Sequence, residues 1–209
     1  MKGICFTEPL FHKVVKGEKT QTRRMITPEP KIQNGWIVKP KSKYKVGEIV
    51  YLKEPYAETC DEFGSPLVAY RFDNTAFYLI RKDENGDYVQ LNTIKKPVST
   101  KWTINNFPAC GEWKNKLFMP EWAARYFIEI TGVRVERLQD ISEEDCFKEG
   151  IEKNVFKGKV LNIPEYFNGY ETFDAPIEAY AALIDKISGK GTWEKNPFVW
   201  VYDFRLIEK

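Results

Sequence analysis

Histidine is nearly missing from this chain, with His12 the single imidazole in 209 residues. Cysteine is sparse and scattered: Cys5, Cys60, Cys110 and Cys146 form no C-x-x-C pair. That argues against a structural zinc site and a disulfide framework, and favours a reducing compartment. An excess of one charge is also lacking, since 32 Lys and Arg face 30 Asp and Glu for a formal charge of +2. Bulk basicity therefore imposes no nucleic-acid partner, and any anion site must be local. The apolar run at the N-terminus is too short for a signal segment and is broken by Glu8, and no stretch is long enough to span a membrane. A cytoplasmic protein is the expectation. Internal repeats and low-complexity tracts are absent.

What is present is core material. Hydrophobic residues make up 43% of the chain and aromatics 15%, so it folds, as one large domain or as a small one carrying insertions. The chain is organised around Gly17-Glu18-Lys19-Thr20-Gln21-Thr22-Arg23-Arg24. Three cations, two hydroxyls and an amide stand there with no aliphatic residue, unlike a strand that only fills a core. Donors and cations of this kind suit phosphate, carboxylate or a polarised carbonyl. The competing structural reading is a solvated turn whose cations face the negative end of the preceding helix.

That helix starts at Thr7-Glu8-Pro9, carries Leu10, Phe11, Val14 and Val15 on one side, and ends at Gly17. His12 lies off the apolar stripe and reads as a surface residue. A short hairpin is expected around Asn34-Gly35. Ile49–Glu54 is the clearest strand of the first half, with Glu54 and Tyr56 at its end, and the opening arginines are possible partners for Glu54. Residues 126–138 read as a long strand bent at Gly132. Ser142 caps a short helix that ends at Gly150, and Pro176–Ile187 is a second helix. In the last strand Phe198, Trp200, Tyr202 and Phe204 share one face, which is a core face or a surface that stacks nucleobases. The order of elements fits α+β, with a small β-barrel or curled sheet.

The octet from Gly17 resembles the G-x-K-x-x-x-x-R signature of the ASCH superfamily, relatives of the PUA domain. Four more blocks resemble its phage- and prophage-associated branch: the strand ending Lys53-Glu54, Met119-Pro120-x-Trp122-Ala123-x-Arg125, the run Val135–Asp145, and Asn196-Pro197-Phe198-Val199-Trp200-Val201. The resemblance implies one PUA-like β-barrel over residues 1–209, with flanking helices and insertions at about 57–116 and 153–173. It implies a cleft under the first helix for RNA or a modified nucleoside. The ligand would be bound by Thr20, Gln21, Arg23, Arg24, Glu54 and Tyr56, with no cofactor and no metal. Some bacterial members are amidohydrolases that remove an acyl group from N4 of acetylcytidine with a Lys, a Thr and a Glu. These fall on Lys19, Thr22 and Glu149. The chain departs from the small hydrolases in its size and at Arg23, where they tend to carry an aliphatic residue.

From the residues alone two functions stay open. One is a binding module in which Lys19, Arg23 and Arg24 hold a phosphate or a base edge and Tyr56 stacks on the base. The other is an amide hydrolase in which burial and neighbouring arginines make Lys19 a usable base for Thr22. In an ideal strand, however, Lys19 and Thr22 point to opposite faces.

Overall fold

The computed structural model describes residues 1–30, 32–33, 36–38, 41–60, 66–73, 75–82, 88–90, 112–155, 164–167 and 172–207. In chain order the first half contains β1 (Lys2–Cys5), α1 (Glu8–Val15), β2 (Gln21–Met25), β3 (Ile32–Gln33), β4 (Trp36–Ile37), β5 (Ile49–Lys53), β6 (Tyr56–Cys60), β7 (Pro66–Tyr70), β8 (Thr75–Lys82) and β9 (Tyr88–Gln90). The second half contains β10 (Phe127–Arg137), α2 (Glu143–Lys148), β11 (Glu152–Val155), β12 (Pro164–Phe167), β13 (Thr172–Phe173), α3 (Pro176–Ser188), α4 (Thr192–Lys195) and β14 (Phe198–Ile207). The chain is therefore α+β. It gathers into two compact units, Met1–Glu8 with Val50–Phe127, and Pro9–Ile49 with Ile128–Glu208.

In the first unit β1 runs parallel to β5, Lys2 opposite Val50 and Cys5 opposite Lys53. β6, β7, β8 and β9 follow one another as an antiparallel sheet. The core here holds Ile4, Val50, Leu52, Val68, Tyr70 and Ala123, each at most 2% exposed. Part of the expected insertion at 57–116, including 91–111, lies outside the described residues.

In the second unit β14 lies between β10 and β2. β14 and β2 are antiparallel, with Tyr202 opposite Thr22 and Asp203 opposite Gln21. β11, β12 and β13 form a small antiparallel sheet within the expected insertion at 153–173, of which 156–163 and 168–171 lie outside the described residues. β3 and β4 pair on either side of Asn34-Gly35 as a hairpin would, the turn itself being outside the described residues. Leu10, Phe11 and Val14 of α1, Ile128 and Ile130 of β10, and Ala179 and Leu183 of α3 are buried. Their spacing is that of amphipathic elements packing one face inward.

The closed barrel is not found. A barrel needs a neighbour on both sides of every strand, whereas β1 and β2 are each flanked on one side only among the described residues. Just before β2 the Thr20 carbonyl accepts from Phe204 N–H of β14 at 2.8 Å, and Thr20 N–H donates to the Lys148 carbonyl at the end of α2 at 2.9 Å.

β10 runs as one continuous strand through Gly132. A Cβ at that position would lie 2.5 Å from Oδ2 of Asp203, so glycine lets the Asp203 side chain approach closely there. His12 is half-buried instead of exposed, edge-on to Phe11 at 6.0 Å. In the last strand Phe198, Tyr202 and Phe204 are buried as core residues, and only Trp200 of that aromatic set is half-buried.

Candidate functional site

The site is built from the end of α1, strand β2 and the end of α2, all in the second unit. Gly17 leaves α1 at φ +76°, a left-handed conformation that glycine adopts without strain. The turn brings Lys19 back, so that its N–H donates to the Lys13 carbonyl at 3.1 Å. Across from it, Ser142 caps α2 by accepting from Asp145 N–H at 3.1 Å, and Glu149 closes the helix with its N–H on the Asp145 carbonyl at 2.9 Å. Gly150 then turns the chain away at φ +100°.

The Lys19 ammonium is 2% exposed and donates to both the carbonyl and the carboxylate of Glu149, at 2.7 and 2.5 Å. Arg23 Nη1 donates to the other Glu149 oxygen at 3.3 Å and to Oε1 of Gln21, while Nη2 donates to Glu136 at 3.1 Å and Asp145 at 3.0 Å. Gln21 donates to Asp203 at 2.7 Å. Arg134 donates to Asp203 at 2.6 Å, to Asp145 at 2.9 Å and to Glu136. Lys148 reaches Asp145 at 3.2 Å. Of the three cations expected to line a basic cleft, Lys19 and Arg23 are therefore matched by carboxylates, which is what burying them requires.

The electrostatics follow from this packing. Burial lowers the Lys19 pKa to about 8, with Arg24 and Arg23 pushing the same way and Glu149 opposing. Burial disfavours charged Arg23 too, but the Glu149 carboxylate and its other partners outweigh it and raise its pKa. For Asp145, burial is outweighed by the hydrogen bond from Arg23, and the carboxyl is held below its usual range. Burial pushes the Tyr180 phenol well up, with Glu149 adding to it. The Cys146 thiol is pushed up to about 12, again mainly by burial, and is an inert core thiol.

A pH dependence follows. Between about 8 and the ordinary 10.5 the unfolded chain keeps a proton on Lys19 that the folded chain has shed. More protons bound in the unfolded state means that stability rises with pH across that window. Urea unfolding of wild type and Lys19→Met at pH 7.5, 9 and 10 is expected to show a difference that shifts in favour of wild type as pH rises. A constant difference would refute the lowered ammonium pKa.

The structure thus brings together Lys19, Gln21, Arg23 and Glu149. Alternation along β2 places Thr22 and Arg24 on the opposite face from Gln21 and Arg23, beside their cross-strand partners Tyr202 and Trp200. Arg24 and Trp200 are both half-buried, and Thr22 is 4% exposed. Thr20 is half-buried, its backbone engaged as described.

Glu54 and Tyr56 belong to the first unit. Glu54 is fully buried and grips Arg125, which donates Nε to Oε1 at 2.9 Å and Nη2 to Oε2 at 2.6 Å. Arg125 also donates to Asp73 and Thr75 at 2.8 Å each and lies 3.9 Å from the centre of the Tyr70 ring. Its partner is therefore Arg125 and not the opening arginines. Tyr56 is 4% exposed and edge-on to Trp122 at 6.3 Å, a covered ring rather than an open stacking platform.

Residue types alone did not single out Glu136, Arg134, Asp203 or Tyr180. Glu136 and Arg134 share one face of β10 by alternation, which was legible, but the tertiary placement that brings Glu136 to Arg23 and Arg134 to Asp145 and Asp203 was not. Among the described residues no group of three or more His, Cys, Asp or Glu could hold a metal ion, and no helix is long and apolar enough to cross a membrane. No protein-family model matches this chain, nor does any curated protein or any solved structure.

Proposed function

We propose that the chain binds a nucleoside-type ligand at the Lys19–Arg24 stretch and hydrolyses an acyl amide on it, of the kind carried by N4-acylated cytidine. The buried Lys19–Glu149 pair, with its weakened ammonium, carries this reading. A desolvated amine beside a carboxylate is suited to moving protons near neutral pH. The resemblance to the ASCH superfamily supplies the substrate class.

Because Thr22 stands on the other face of β2, water is the attacking group in this scheme. Glu149 takes one proton from water as its oxygen bonds to the acyl carbon. The carbon–nitrogen bond then breaks, and the Lys19 ammonium gives its proton to the departing N4 amine. The proton on Glu149 passes to Lys19 across their 2.5 Å hydrogen bond and restores the pair. The products are a carboxylic acid and the free nucleoside.

The test is release of cytidine from N4-acetylcytidine by the purified chain. Lys19→Met and Glu149→Gln are expected to reduce turnover to background, and wild-type turnover should fall as pH rises through about 8, where the ammonium is lost. Thr22→Val should keep turnover within about tenfold, the cost of a single hydrogen bond at most. Loss of all turnover in Thr22→Val would make its hydroxyl the nucleophile instead. Absence of wild-type turnover on any acylated nucleoside would refute hydrolysis.

A second reading, binding of RNA or a nucleotide without chemistry, is favoured by Arg24 lying across from half-buried Trp200. A cation beside an aromatic ring suits a phosphate and its base. On that reading RNA affinity would depend on Arg24 and on salt, and no acyl group would be released.

A further inference from the structure

Arg23 uses both terminal nitrogens on Gln21, Glu136, Asp145 and Glu149, yet its third donor is idle. Its Nε–H is buried with no hydrogen-bond partner. The hydroxyl of Tyr180, a residue 0% exposed on α3, is also buried and unpartnered. The two belong to one cluster: the guanidinium carbon of Arg23 lies 6.0 Å from the centre of the Tyr180 ring. The phenol also feels the charges of Glu149 and Arg23. Buried polar groups are paired in the great majority of cases, and each exception calls for a reason. Nε–H can only donate, and burial, helped by the Glu149 charge and opposed by Arg23, keeps the phenol protonated as a donor.

We infer that the Arg23 Nε–H and the Tyr180 hydroxyl are the two donors that bind an acceptor oxygen of the ligand beside Glu149. Under the reaction proposed above, on which this assignment rests, that oxygen is the acyl carbonyl and then the oxyanion formed from it. The charge sequence is consistent. Glu149 becomes neutral as it takes the proton from water, so no carboxylate charge opposes the oxyanion from that side at the moment it forms. Two donors fixed in a dry setting favour developing negative charge more than the neutral carbonyl, so they act on the rate more than on binding. Arg23 therefore has two tasks, its terminal nitrogens fixing the carboxylates and its Nε facing the reacting oxygen.

Tyr180→Phe tests this, because it keeps the ring and removes only the idle hydroxyl. The expected result is a kcat for N4-acetylcytidine lowered by about 10²–10³-fold with KM little changed, in a protein at least as stable as wild type. If wild type turns over and Tyr180→Phe matches it, the hydroxyl holds solvent only and the assignment is overturned while the hydrolase reading stands. If Tyr180→Phe fails to fold, the hydroxyl has a structural partner and the assignment is likewise overturned. If wild type shows no turnover, the hydrolase reading falls and acetate becomes the probe. A rise in unfolding temperature with acetate in wild type that is absent in Tyr180→Phe supports a two-donor site for a carboxylate oxygen. Equal responses overturn it.

Discussion

Replacing Glu149 with alanine is expected to destabilise the protein by about 3–5 kcal/mol, the usual cost of removing one partner from a buried ion pair. The carboxylate is the common acceptor of Lys19 and Arg23, both buried. Arg23 keeps Asp145 and Glu136 after the change, so the loss falls mainly on Lys19, which loses its carboxylate and keeps the backbone carbonyl of residue 149. Lysine has an escape that arginine lacks, since it can give up its proton. Its pKa is already down to about 8, and removing the opposing carboxylate drives it lower. The cost should therefore be larger at pH 6 than at pH 9. Adding Lys19→Met removes the stranded ammonium, and a buried pair replaced by apolar side chains is often neutral in stability. The double variant should recover most of the loss, with a coupling of about 1–3 kcal/mol in a double-mutant cycle by urea unfolding. A single-variant loss below about 1 kcal/mol, or no recovery in the double variant, would mean that the pair is not desolvated. Stability recovered without turnover would separate the structural contribution of the pair from its chemistry.

Glu54→Ala is expected to cost a similar amount, about 3–5 kcal/mol, but with a different pH profile. Arg125 is buried, and its other acid, Asp73, is about one-third exposed. Burial disfavours the charged guanidinium, but Glu54 and Asp73 outweigh it and raise its pKa further. The group cannot neutralise itself when Glu54 is removed. Its charge then remains over the Tyr70 ring with only Asp73 to balance it. The loss should stay nearly constant from pH 6 to pH 9, where the Glu149→Ala loss shrinks. Urea midpoints of both variants across that range provide the comparison. A Glu54→Ala loss that disappears by pH 9 would show that the buried charge is not held by Arg125.

These two clusters show where residue patterns carry information and where they stop. The chain by itself determined its local elements. The Thr7 hydroxyl is buried without a hydrogen-bond partner and does not cap α1, but Glu8-Pro9 and Gly17 bracket that helix, Ser142 opens α2, Pro176 starts α3, and the alternation after Pro197 makes β14. Each is a rule about neighbours three or four residues apart, or about alternate residues, and the folded chain obeys it. The same local reasoning marked Lys19–Arg24 as unusual, and alternation warned that Lys19 and Thr22 would part. The tertiary structure alone decided which face meets which. Gly17 and Gly150 turn the chain so that Lys19 and Glu149, 130 positions apart, share a hydrogen bond. The β14–β2 register sets Asp203 against Gln21 and Thr22 against Tyr202, and Gly132 makes room for Asp203. A register shift of one residue would exchange the two faces of β2 with no change in composition. Closure of a barrel is likewise a matter of long-range pairing, which periodicity does not report. The sequence therefore announces that its cations are unusual, and the tertiary structure decides that Lys19 and Arg23 are neutralised by carboxylates instead of lining an open basic cleft.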